Sequence, residues 1–140
     1  MKIFIFVLTL LFSTSSFSAD FNFNCKNIKG VDLRYERGKI ESSSDGYSGT
    51  TFLLRAKNNG GYVKWNGGLN DGFTEDLILL NVSEKDGWIT WTTIWPEVTR
   101  IYTLFLTAEG GPKLSLTESQ SQMFTNNPMA RSFFSKCSEN

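Results

Sequence analysis

The chain has no histidine among its 140 residues. Every mechanism that needs an imidazole base or ligand is therefore excluded, including Ser-His-Asp hydrolysis and the HExxH metalloproteases. It also lacks any excess of charge, with 14 basic and 14 acidic side chains, so the basic footprint of a nucleic-acid binder is missing. No GxGxxG, Walker A or GxSxG motif occurs, which leaves nucleotide cradling and the nucleophile elbow without support. There is no internal repeat, no linker and no convincing amphipathic helix. What is present is 40% apolar and 14% aromatic residues, enough for one soluble domain with a substantial core.

The longest apolar run is Ile3-Phe4-Ile5-Phe6-Val7-Leu8-Thr9-Leu10-Leu11-Phe12, too short to span a bilayer, which takes about 20 such residues. Lys2 precedes it and Ser13-Thr14-Ser15-Ser16 follows. These are the three parts of a secretory signal peptide over residues 1–19, with cleavage after Ser18 or Ala19. A short n-region of this kind suggests bacterial export, hence a periplasmic or secreted protein, with a single domain over residues 20–140.

Cys25 and Cys137 stand near opposite ends of the exported chain, and no third cysteine competes for either. An oxidising compartment makes a disulfide the expected state. A reactive or metal-binding thiol pair would need CxxC spacing or a nearby His, and neither exists.

Phe21, Phe23 and Cys25 alternate with Asn22, Asn24 and Lys26, the period of a half-buried strand. Val31, Leu33 and Tyr35 alternate with Asp32 and Arg34 in the same way and predict a second strand, ended by a turn at Glu36-Arg37-Gly38-Lys39. Composition marks residues 42–50 as a loop. Further strands are expected at 51–56, 62–65, 76–83, 88–95, 98–107, 113–119 and 130–137. The run Leu77-Ile78-Leu79-Leu80 fits either a strand buried on both faces or a short helix. About nine short strands with Gly/Asn/Asp turns predict an all-β fold, a single antiparallel meander closing into a small lipocalin-like β-barrel, with a β-sandwich as the alternative. Closure is favoured because it removes unpaired edges.

Asn66 to Asp76 looks at first like a calcium loop, but the EF-hand register puts Gly67 and Leu69 where oxygen ligands belong. No metal site and no cofactor is expected. The concentration that stands out is aromatic. Trp65, Trp88, Trp91 and Trp95, with Thr90 and Thr92 between them, either fill the core or line a pocket for a small amphipathic ligand. The candidate ligand-binding residues are Trp65, Trp88, Thr90, Trp91 and Trp95. An exposed Trp88 could instead mark a protein contact.

An export signal, an early cysteine in Asn24-Cys25-Lys26, an all-β middle and a late cysteine in Ser135-Lys136-Cys137 resemble small exported bacterial β-barrel proteins. Two relatives of that kind can be compared motif by motif. Gly30-Val31-Asp32 lacks the Trp of the lipocalin Gly-x-Trp. Ser48-Gly49-Thr50-Thr51-Phe52 approximates the Ser-Gly-x-x-Tyr loop of the periplasmic lysozyme inhibitors but has Phe for Tyr, so no inhibitor residue is carried over. The resemblance implies a non-enzymatic barrel that binds a small apolar or amphipathic ligand, or alternatively an envelope protein in an inhibitor-type interaction. A small hydrolase with paired carboxylates is the third class, since two acids from distant strands can meet. Intact-mass measurement of the exported protein should show loss of the first 18 or 19 residues; mature protein that retains Met1 to Phe12 would refute the export reading.

Overall fold

Period-two alternation and tight glycine turns build a sheet that curls onto itself. A computed structural model describes residues 20–45, 49–57, 59–120 and 128–140, so the export segment of residues 1–19 lies outside the described residues. The described strands are β1 (Asp20–Glu36), β2 (Lys39–Asp45), β3 (Thr51–Lys57), β4 (Gly60–Asn66), β5 (Thr74–Ser83), β6 (Trp88–Ile94), β7 (Val98–Phe105), β8 (Lys113–Gln120) and β9 (Met129–Glu139). Each pairs antiparallel with its neighbour in the order β2-β1-β3-β4-β5-β6-β7-β8-β9, and β9 returns to β1. Eight strands therefore close an all-β barrel, and β2 stands beside it. Among the described residues no helix is long and apolar enough to cross a membrane.

β1 is the strand on which closure depends. Its first half pairs with β3 from Asp20 to Cys25, its second half pairs with β2 from Gly30 to Glu36, and β9 runs along its other edge. Two segments expected as separate strands are thus one. A bulge between Lys26 and Lys29, with Asn27 at φ 56°, interrupts the alternation. One extra residue transfers the following side chains to the opposite face. Phe21, Phe23 and Cys25 point inward, but beyond the bulge Asp32 is buried while Val31, Leu33 and Tyr35 are 44–48% exposed. The period expected for residues 31–35 is present with its faces exchanged.

Residues 42–45, expected as loop, belong to β2. Glu36 pairs with Lys39 around Arg37 and Gly38, whose φ values of 50° and 78° are both left-handed. That two-residue hairpin extends the ladder into a Ser-rich segment that composition alone assigns to a loop. Leu77 to Leu80 is neither helix nor doubly buried strand. In β5, Leu77 is buried while Ile78 and Leu80 are more than half exposed.

The interior is filled by side chains from every wall. Trp65, Trp91, Tyr102, Phe52 and Phe133 are the largest fully buried groups, each contributing roughly 1.5–3 kcal/mol of burial. The rings of Phe52 and Trp65 meet edge to face at 4.7 Å, and those of Phe21 and Trp91 at 6.0 Å. Gly30 permits the β1–β9 seam: a Cβ there would lie 2.2 Å from the Ser132 carbonyl oxygen and 2.3 Å from the Phe133 ring. Any side chain at this position would push the closing strands apart.

Cys25 and Cys137 face each other across the same seam, 112 positions apart in sequence, with their sulfurs at the disulfide distance of 2.00 Å. A crosslink over so long a loop acts chiefly on the unfolded chain. Replacing both cysteines by Ala should lower stability in denaturant melts by a few kcal/mol and leave the β-sheet spectrum intact. Melts identical to the wild type under oxidising conditions would contradict this.

Candidate functional site

The two ends of the barrel differ in chemistry. At one end the inward positions carry charge. Arg100 pairs with Glu118 across β7–β8, Glu118 with Arg131 across β8–β9, and Arg131 with Asp32 across β9–β1. The inner face thus presents a row of alternating sign around four strands. The Arg100 Nε lies 2.6 Å from Glu118 Oε2, Arg131 Nη1 3.5 Å from Glu118 Oε1, and Arg131 Nε 3.5 Å from Asp32 Oδ2. Arg34 closes the row by donating from Nε and Nη2 to Asp32 Oδ2, at 3.1 and 2.8 Å.

Glu75, from the start of β5, ends the row on the other side. Its carboxylate accepts five hydrogen bonds. Thr93 Oγ1 at 3.2 Å, Trp95 Nε1 at 3.0 Å and Arg100 Nη1 at 2.5 Å reach Oε1, while Trp65 Nε1 at 3.2 Å and the Tyr102 hydroxyl reach Oε2. Its side chain is fully buried. Desolvation of this kind is tolerable only because every lone pair is occupied. The Arg100 guanidinium also lies over the rings of Trp65, at 5.2 Å, and Phe73, at 5.9 Å. Phe73 and Trp95, partly exposed, tilt against each other at 5.9 Å and cover this end.

Titration follows from these contacts. Burial, and then the adjoining Glu75 carboxylate, pushes the Tyr102 phenol well above its ordinary value of 10.0. Burial works against the charge on Arg100, but Glu118 and Glu75 outweigh it and hold its pKa above the ordinary value. The arrangement keeps a neutral phenol and a charged guanidinium around one carboxylate. Its acceptors and donors face one another, so the cluster works as a seal.

The opposite end carries an apolar cleft. Phe21 and Ile89, both buried, form the floor of a cleft of about 280 Å³ whose walls are Val82, Trp88 and Leu106. The β5–β6 turn, with Ser83, Glu84 and Gly87, forms its rim. The left-handed Gly87 brings that turn onto the barrel, its carbonyl accepting from the Leu106 N–H at 2.7 Å.

No protein-family model, curated protein or solved structure matches this chain.

The five aromatic and threonine positions singled out from the sequence do not converge. Trp65 and Trp91 are core, with Trp91 Nε1 donating to the Lys57 carbonyl at 3.4 Å. Trp95 sits at the charged end. Thr90 is on the outer wall, paired with Thr103 through their hydroxyls at 3.0 Å. Trp88 alone lines the cleft. The loop considered for calcium is a turn: η1 (Gly68–Asn70) is a short 3-10 helix, and Asp71 Oδ1 accepts from the Gly67 N–H at 2.6 Å. Among the described residues no group of three acidic or thiol side chains is placed to hold a metal.

Sequence reasoning missed Glu75, Arg100, Glu118 and Arg131. A signal existed, since Arg100 precedes Tyr102 and Leu104, Glu118 follows Leu114 and Leu116, and Arg131 precedes Phe133, each at the spacing of the buried face.

Because the folded state holds the Tyr102 proton more tightly than the unfolded chain does, stability should fall as pH rises above about 10. Tyr102→Phe should flatten that alkaline limb in urea melts and cost about 1–2 kcal/mol at neutral pH through the lost hydrogen bond to Glu75. Equal alkaline slopes in the two proteins would contradict a Tyr102 proton held more tightly in the fold than in the unfolded chain.

Proposed function

We propose that the chain is an exported, non-enzymatic binding barrel that takes a small apolar or amphipathic ligand in its apolar cleft. The observation that carries this reading is the contrast between the ends: ionic pairing and aromatic cover occupy one, while the other keeps an apolar cleft with a buried floor. Mouths of small barrels are a preferred location for such sites. The central interior is filled by Trp65, Trp91 and Tyr102, so the ligand lies at the mouth and not in the middle of the barrel.

Support for export comes from the Lys2-led apolar segment of residues 1–19 and from the paired cysteines, whose bond persists in an oxidising compartment outside the cytoplasm. Small exported bacterial barrels share this layout. Support for a non-catalytic role is that the inward carboxylates are occupied: Glu75 and Glu118 share Arg100, and Asp32 is paired with Arg34 and Arg131. A paired-carboxylate hydrolase needs one acid protonated and one free.

Straight-chain alkanoates of increasing length should bind saturably, each methylene tightening binding roughly fourfold, equivalent to about 0.8 kcal/mol, until the cleft is full. The signal should be a change in Trp88 fluorescence, absent in Trp88→Phe. Val82→Trp should fill the cleft and abolish binding while the thermal melt stays cooperative. No saturable binding by any chain length, or unchanged binding by Val82→Trp, would reject the proposal.

A further inference from the structure

The outer wall carries a second charge row of a different kind. Lys26 on β1 pairs directly with Lys136 on β9, and Lys136 pairs directly with Lys113 on β8. Like charges placed opposite one another on adjacent strands oppose folding. None of the three, nor Lys29 beyond the β1 bulge, takes part in an ion pair among the described residues. Among the described residues, the outward positions of β6, β7, β8 and β9, and those of β1 from Asn22 onward, carry no carboxylate, only Lys, Ser, Thr, Asn, Ala, aromatic and aliphatic side chains; Asp20, at the start of β1, lies 3.4 Å from Lys57 on β3. In a chain with as many acids as bases, the wall around the lysine row is one-signed.

Apolar groups stand among the lysines. Phe134, 54% exposed, is paired with Lys29 and lies two residues from Lys136 on the same strand. Val31, 47% exposed, is its diagonal neighbour. Beside them, a groove of about 630 Å³ is lined by Lys26, Lys29 and Lys136 with Asn27, Thr50 and Thr51. The β1 bulge, where Asn27 takes a left-handed conformation, shapes its floor. Long lysine stems cover apolar surface while their ammonium groups reach outward, and an exposed aromatic ring between them fits the depth of lipid headgroups.

The geometry points to the β1–β9–β8 outer wall as a docking surface for an anionic lipid bilayer, with phosphate headgroups on the lysine row and Phe134 entering the interfacial layer. Charge complementarity selects this occupant. A neutral apolar partner would leave the repulsion between Lys26, Lys136 and Lys113 in place, whereas a layer of phosphates relieves it. The inference does not depend on the mouth cleft, which lies inside the barrel end.

The test is co-sedimentation with phosphatidylglycerol-containing vesicles and with pure phosphatidylcholine vesicles. Binding is expected to the first alone, weakening as salt is raised. Each Lys→Gln change at Lys26, Lys113 or Lys136 should weaken it about fivefold, and Phe134→Ser should weaken it further at fixed charge. Lys64→Gln, on the outer face of β4, should bind as the wild type. Lys136→Gln should also raise the melting temperature, because it removes both like-charge contacts; a lysine with a purely structural role would lower it. Val82→Trp should dock unchanged, which separates failure of the cleft from failure of the wall. Equal binding to both vesicle types, no vesicle binding, a triple lysine variant that binds normally, or capture of soluble polyphosphate in place of vesicles would overturn the proposal.

Discussion

The buried carboxylate of Glu75 and the charge row it begins are the constraint around which the barrel is organised. A closed sheet must commit to one register at the seam where the last strand meets the first, and apolar side chains tolerate slippage more readily than ion pairs do. Alternating Arg100, Glu118, Arg131 and Asp32 across consecutive strands makes a slip costly, because it would set a buried charge opposite an apolar residue. Such pairs add little net stability compared with an apolar core. Their effect is on which pairing forms. Glu75 ties the same register to β4, β6 and the turn before β7 through Trp65, Thr93 and Trp95.

That investment at one end accounts for the asymmetry of the whole molecule. Arg100, held between two carboxylates and two rings, supports Phe73 and Trp95 over the charged end. Among the described residues no comparable network stands at the other end, where Phe21, Ile89 and Leu106 meet the β5–β6 turn and a cleft remains. The two cross-strand charge rows are also opposites. The inner one alternates in sign where desolvation demands neutrality, and the outer one repeats lysine where water screens the repulsion. Selection for folding alone explains the first and leaves the second without a reason.

Much of the architecture was legible in the sequence. Alternation at 88–95, 98–107 and 113–119 and the turns between them led to an antiparallel meander, and the early and late cysteines implied neighbouring end strands. The misreadings have separate local causes. A single bulge at Asn27 exchanges the faces of everything after it in β1, so Val31, Leu33 and Tyr35 have the right period and the wrong side. Likewise, Leu77 to Leu80 has no alternation to show that only one of its faces meets the core. The tryptophans were found by composition, which cannot tell wall from interior; four residues of one type went to the core, the seal and the cleft.

The sequence by itself determined the class of fold, the absence of imidazole chemistry and the pairing available to its only two cysteines, because each depends on residue type or on spacing along one strand. The tertiary structure alone decided which charges are partners. Asp32, Glu75, Arg100, Glu118 and Arg131 are spread over 100 positions of chain, and Lys26, Lys113 and Lys136 are as widely scattered. Cross-strand contacts form between residues brought opposite by register, and register in a closed barrel is a property of all its strands together.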